Sequence, residues 1–250
     1  MKVFLTGASS GLGEALARHY AAAGATLGLV ARRGDRLQAL RSSLSATCET
    51  YECDVRDLAA MRAAGADFIA RHGAPDVVIA NAGVSHGTLT EMAEDAVAFR
   101  EIMDINVLGM VHTFQPFIAP MRERASGSLV GIASVAGIRG LPGAGAYSAS
   151  KAAAVRYLES LRIEMRGSGV KVTTISPGYV ATEMTRRNPY PMPFIIQADD
   201  AARRFARVIA AGRSEAIVPW QMAIVAPILR LLPNALFDAL ASKAGRKPRK

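Results

Sequence analysis

Short apolar runs recur along the first two thirds of the chain, separated by longer stretches of helical character. Runs of strand length read near residues 2–6, 26–31, 50–53, 76–80, 128–133, 171–175 and 216–218. Helices fit near 11–23, 35–45, 57–72, 92–121, 145–166 and 198–211. Strands that alternate with helices in this way predict repeated βα units and an α/β fold with a parallel sheet. No Pro- or Ser-rich linker interrupts the series, so residues 1–250 read as one domain.

Two stretches depart from the alternation. Residues 178–197 carry Pro189, Pro191 and Pro193 with Tyr190 and Phe194 between them, which disfavours a long helix or a central strand there. That stretch is read either as a mobile lid or as a surface loop. The other, 217–250, is an apolar extension that ends in a basic tail. Pro219, Pro227, Arg230, Pro233 and Asn234 break it before about 20 consecutive apolar residues accumulate, so no transmembrane helix is expected.

Composition narrows the picture. A 250-residue chain that is 50% hydrophobic and 20% charged can bury a sizeable core, which sets disorder aside. Net charge is +9, and Lys243, Arg246, Lys247, Arg249 and Lys250 supply five positive charges in the last eight residues. The excess is therefore largely a tail, read as a solvated terminus rather than a nucleic-acid contact. Cys48 and Cys53 lack metal-ligand spacing, as do His19, His72, His86 and His112, so no metal is expected. The reading is a reduced, cytoplasmic protein without a secretion signal.

The candidate chemistry starts at the first strand, which runs into Thr6-Gly7-Ala8-Ser9-Ser10-Gly11-Leu12-Gly13. A pyrophosphate needs free backbone N–H groups, a helix N-terminus behind them and no side chains in the way. Glycines 7, 11 and 13, spaced Gly-x-x-x-Gly-x-Gly between strand and helix, meet those needs for a dinucleotide. At the end of the second strand Arg32 and Arg33 favour a 2′-phosphate and hence NADP(H), while Asp35 leaves NAD(H) open as the runner-up. Asp54, with Val55 beside it, follows the third strand. It suits either the adenine amino group or a cap on the helix that starts near Asp57.

Tyr147 and Lys151 are four residues apart on a predicted helix, so their side chains share a face. A nearby ammonium is expected to lower the phenol pKa and so improve Tyr147 as a general acid or base. Ser134 ends the run Leu129-Val130-Gly131-Ile132-Ala133, where its hydroxyl can stabilise developing charge on a substrate oxygen. Asp199 and Asp200 read as helix-capping residues.

Taken in order, the Gly-rich turn, Asp54, Asn81-Ala82-Gly83, Asn106, Ser134, Tyr147-x-x-x-Lys151 and Pro177-Gly178 followed by Thr182 resemble the short-chain dehydrogenase/reductase family over roughly residues 1–215. The resemblance implies a Rossmann-type doubly wound parallel sheet of about seven strands with helices on both faces, and a homodimer or homotetramer. It implies Asn106, Ser134, Tyr147 and Lys151 as catalytic residues, with Asn106 holding a water that links Lys151 to solvent. For the cofactor it implies Gly7, Ser9, Ser10, Gly11, Leu12, Gly13, Arg32, Arg33, Asp54, Val55, Asn81, Ala82, Gly83, Tyr147, Lys151, Pro177, Gly178, Val180 and Thr182. Lys151 is also expected on the nicotinamide ribose.

The expected activity is hydride transfer between NADP(H) and a carbonyl or alcohol, moderately hydrophobic, with specificity carried by Ser85–Thr88, Ile138–Ala144 and the Pro-rich loop. The alternative is a catalytically silent nucleotide-binding regulator or RNA-binding protein. For the extension after Ile217, packing on a neighbouring subunit or over the pocket is preferred to peripheral contact with a membrane.

Overall fold

The computed structural model describes residues 1–243 and 245–249. Its strands are β1 (Lys2–Thr6), β2 (Thr26–Ala31), β3 (Cys48–Glu52), β4 (Val77–Ala80), β5 (Gly127–Ile132), β6 (Val170–Pro177), β7 (Val180–Ala181), β8 (Ile196–Gln197) and β9 (Glu215–Val218). The helices are α1 (Gly11–Ala22), α2 (Gly34–Ser42), α3 (Leu58–His72), α4 (Asp95–Met103), α5 (Gly109–Glu123), α6 (Gly145–Glu164), α7 (Glu183–Arg186), α8 (Ala198–Ala210), α9 (Trp220–Leu231) and α10 (Asn234–Ala241). A seven-stranded parallel sheet runs β3-β2-β1-β4-β5-β6-β9. The expected doubly wound α/β architecture is therefore present, with the strand order reversing between β1 and β4.

The central strands β1, β2, β4 and β5 are largely apolar because helices cover both faces of the sheet. Val3, Leu5, Leu27, Leu29 and Ile79 point to the side carrying α1 and α8. Phe4, Val30 and Val78 point the other way, towards α3, α5 and α6. Phe4 is fully buried, with its ring centre 4.6 Å from Phe117 and 5.6 Å from Phe68. Burying such a side chain contributes about 1.5–3 kcal/mol. Gly28 makes room for it, since a Cβ there would lie 2.6 Å from the Phe4 ring.

The long helix expected over 92–121 is divided. A π-helical turn, Asp104–Leu108, separates α4 from α5 and turns Asn106 inward, to 1% exposure. The extension after Ile217 forms α9 and α10, and α9 keeps Pro227 inside it. No helix among the described residues is long and apolar enough to cross a membrane. Asp199 and Asp200 do not cap α8. They lie in its first turn, where negative charge suits the helix dipole, and Asp200 pairs with Arg203 and Arg204. The basic tail also differs from expectation: Lys247 and Arg249 are bonded to the domain.

Candidate active site

β1 ends in a turn built around close backbone approaches. Gly7 and Gly11 have φ of +71° and +56°, and a Cβ on Gly13 would sit 2.1 Å from the Gly7 carbonyl oxygen. At these three positions no side chain stands between the turn and the cleft. Thr6 ties it to the turn after β4, its Oγ1 accepting from the Asn81 and Ala82 N–H groups at 3.2 and 3.3 Å. The Asn81 amide donates back to the Thr6 carbonyl at 3.1 Å.

Ser10 is the N-cap of α1, yet its hydroxyl makes no capping bond. It accepts instead from Arg33, at 2.6 Å, and Arg33 also donates to Ser9 Oγ at 3.1 and 3.2 Å. The first-turn N–H groups of α1 are left without a side-chain partner, which is the condition for binding an anion. Arg32 lies 3.7 Å from Asp54. Asp54 is not a helix cap, since Asp57 fills that role by accepting from the Ala60 N–H. Burial pushes the Asp54 carboxyl up, but hydrogen bonds and charge from Arg56 and the Arg32 charge outweigh it and hold the group below its ordinary value.

At the other end of the cleft Ser134 follows β5. Its Oγ accepts from the Ala136 N–H at 3.1 Å, and it lines the cleft together with Tyr147, close enough to act on the phenol. Lys151, one turn beyond Tyr147 on α6, donates from Nζ to the Ile132 carbonyl at 2.8 Å and stands 5.8 Å from the Tyr147 ring centre. The expected lowering of the phenol by this ammonium is not found. Lys151 is turned towards β5, and burial raises the Tyr147 pKa while the Ser134 bond offsets only part of the rise. Burial likewise pushes Lys151 down to about 8.

Asn106 sits behind this group rather than on the cleft wall. It accepts from the Val84 N–H at 2.9 Å and donates to the Val84 carbonyl and Ser150 Oγ at 3.0 and 2.9 Å. Ser150 in turn donates to the Tyr147 carbonyl at 2.8 Å. Asn106 thus clamps the turn after β4 to α6. Gly83 completes the close fit, because a Cβ there would lie 3.2 Å from Asn106 Oδ1 and 3.6 Å from Lys151 Nζ.

Every residue expected to contact the cofactor lines one cleft of about 410 Å³, and Ser134 lines it too. The cleft lies at the C-terminal edge of the sheet, over the β1–β4 reversal, where open α/β sheets bind their ligands. A model of the short chain dehydrogenase family matches residues 1–191. The chain belongs to the short-chain dehydrogenase/reductase family. It is an oxidoreductase with the dinucleotide-binding fold of that family.

This short-chain dehydrogenase/reductase is 43% identical over 242 residues to an uncharacterized oxidoreductase of Myxococcus xanthus, covering 96% of the chain and 95% of that protein. Among solved structures it is similar to a short-chain dehydrogenase/reductase of Burkholderia phymatum in complex with NAD, at 24% identity and a TM-score of 0.81, covering 100% of this chain and 97% of that one. It is also similar to an alcohol dehydrogenase of the archaeon Thermococcus sibiricus complexed with 5-hydroxy-NADP. There the identity is 25% and the TM-score 0.77, with 87% of this chain and 95% of that one covered.

Two features, one lining the cleft and one beside the Tyr147 ring, escaped the reading of the sequence. Glu183 bridges Arg36 at 2.7 Å and Arg33 at 3.4 Å, which sets a carboxylate beside the arginine end. Its position next to Thr182 was the available signal. Lys247, 100 positions beyond Tyr147, reaches the reactive end, and no local pattern announces that. Thr182, expected to bond the cofactor, lines the cleft, and its side chain also caps α7 reciprocally with Thr185.

Proposed function

We propose that the protein is an NADP(H)-dependent reductase or dehydrogenase that interconverts a carbonyl and an alcohol, with Tyr147 as the proton donor or acceptor. The observation that carries this reading is one cleft with Arg33 on Ser9 and Ser10 at one end and Tyr147, Ser134 and Lys151 at the other. The residues fit a nicotinamide dinucleotide. The glycine turn leaves room for a pyrophosphate against the free N–H groups of α1, and Arg33 offers a fork of donors for a 2′-phosphate. Asp35, the basis of an NAD reading, is exposed on α2 and does not line the cleft.

When bound, the nicotinamide supplies or accepts the hydride. The chain's own residues handle the oxygen. Ser134 and Tyr147 converge on the place a carbonyl oxygen would take, and Ser134 donates to it as negative charge develops. Tyr147, held protonated by its surroundings, gives that oxygen its proton. Lys151 places positive charge near the transferred proton and fixes α6 to β5 through the Ile132 carbonyl. Asn106 positions Tyr147 by holding Ser150 and the turn at Val84.

Exposed Val97 and Phe99 on α4, Leu108 at the π-turn and Ile163 on α6 support assembly with further copies. A spectrophotometric screen for NADPH consumption across ketones, aldehydes, oxoacyl thioesters and sugars tests the activity. Turnover is expected with at least one class; NADPH binding without turnover on any of them would leave a silent nucleotide binder.

A further inference from the structure

The C-terminal segment is seated against the loops beside Tyr147. The Gly87 N–H donates to the Pro248 carbonyl at 2.8 Å, and Arg249 holds Asp95 at 2.9 and 3.1 Å and Glu94 at 2.6 Å. Asp95, its side chain only 9% exposed, also accepts from the Leu89 N–H at 2.7 Å, so one carboxylate fixes both the tail and the 85–89 loop. The backbone contact is close enough to require glycine. A Cβ on Gly87 would lie 2.2 Å from the Lys247 carbonyl oxygen, and one on Gly245 would lie 2.5 Å from Tyr190 Cβ. The two loops expected to set specificity, around Ser85 and Ala144, are therefore joined by a third segment.

Within that segment Lys247 points inward. Its Nζ donates to Ser85 Oγ at 2.6 Å and stands 5.3 Å from the centre of the Tyr147 ring. Burial pushes this ammonium down to about 8, and no carboxylate pairs with it among the described residues. Its neighbours in the basic tail differ, since Arg249 has two carboxylates. A largely desolvated cation with a single hydroxyl acceptor is incompletely compensated, and an anion at that place would complete it.

We propose that Lys247 is the counter-charge for the substrate, which carries a carboxylate within a few bonds of the reacting carbon: an oxo acid in one direction, a hydroxy acid in the other. A carboxylate fits better than a phosphate, because one ammonium beside one hydroxyl offers fewer donors than a phosphate group usually engages. The acid group bonds Lys247 and the Ser85 hydroxyl while the carbonyl oxygen rests on Tyr147 and Ser134. In reduction the carbonyl carbon gains hydride from the dihydronicotinamide, the C=O π pair moves to oxygen, and oxygen takes the Tyr147 proton. The carboxylate is unchanged throughout. The assignment rests on the proposed role of Tyr147.

Matched pairs test it on the full chain with NADPH: acetoacetate against ethyl acetoacetate, and levulinate against ethyl levulinate. The wild type should show the higher kcat/KM on the acids. Lys247→Met should lower that figure roughly 10- to 100-fold on the acids, mainly through KM, and leave the esters within about threefold. Lys247→Arg should restore part of the preference, and Ser85→Ala should weaken it in the same sense, with NADPH binding retained in all three variants. Wild-type preference for the esters, equal loss on acid and ester, or a gain on both in Lys247→Met overturns the counter-charge. Turnover confined to neutral carbonyls overturns it alone, whereas no turnover on any carbonyl removes the oxidoreductase reading with it.

Discussion

Replacing Arg33 with alanine tests the cofactor assignment most directly. Arg33 lines the cleft and is held to Ser9 and Ser10 by its Nε and one terminal nitrogen, so a 2′-phosphate would meet a guanidinium already positioned by the turn it must bind. A hydrogen bond to a charged group contributes about 1.5–3 kcal/mol, or roughly 10- to 150-fold. The Arg33 side chain is 41% exposed, so solvent screening places the loss at the lower end, about tenfold in kcat/KM for NADPH. NADH lacks the phosphate and should change by less than about threefold, apart from any loosening of the Gly-rich turn. Initial rates on one carbonyl substrate with each nucleotide, together with fluorescence titrations of NADPH and NADH, measure both effects. Equal losses for the two nucleotides would make Arg33 a brace of the turn and nothing more. A wild-type efficiency with NADH at or above that with NADPH would refute the NADP(H) assignment outright.

Glu183→Gln removes the carboxylate that shares Arg33 with the cleft, and should improve kcat/KM for NADPH modestly, by about twofold, without helping NADH; equal gains would refute this competition. Tyr147→Phe keeps the ring and removes the proton, so turnover should fall about 10²- to 10⁴-fold with NADPH binding kept; near-normal turnover would end the mechanism. Gly13→Ala drives a methyl into the Gly7 carbonyl and should cost about 1–3 kcal/mol in urea unfolding, with weakened NADPH binding, whereas an unchanged midpoint would contradict the close approach. Lys151 is charged below its depressed value of about 8, so kcat/KM for reduction of a neutral ketone should be level below that pH and decline above it, and a profile flat to pH 10 would exclude the role given to this ammonium.

The sheet was legible because its strands are buried on both faces and leave uninterrupted apolar runs such as Val77–Ala80. The cleft was legible for a related reason: glycine, serine and asparagine stand where β1, β4 and β5 end, and a strand end in a parallel sheet has one destination. Less regular features were not visible. Asn106 shows no local sign of the π-turn that moves it off a continuous helix, because its partners Val84 and Ser150 are 22 and 44 positions away. Pro227 reads as a helix breaker, yet α9 accommodates it, and α9 with α10 fills a region where no helix was expected. The tail was misread as solvated because its carboxylate partners, Glu94 and Asp95, precede it by more than 150 residues.

The placement of charge in the cleft follows from which groups are left uncompensated. The net charge of +9 is a poor guide, since fields of exposed charges fade within about 8 Å at physiological ionic strength. Near the Gly-rich turn Asp54 is taken up by Arg56, while Glu183 bonds Arg36 at 2.7 Å and also reaches Arg33 at 3.4 Å, so the arginine charge at Ser9 and Ser10 is partly shared with a carboxylate. Near Tyr147, Lys151 bonds a carbonyl and Lys247 a hydroxyl, and neither ammonium pairs with a carboxylate among the described residues. Under the proposed assignments, cationic groups near both ends of the cleft would suit a polyanionic dinucleotide and a small acid together. The Gly-rich turn, residues 81–83 and Ser134 follow the ends of β1, β4 and β5 respectively. Once the nucleotide is seated on the Gly-rich turn, the rigid sheet determines how far its reactive end lies from Tyr147. On the proposed assignment of Lys247, the tail would then bias which substrates approach that hydroxyl.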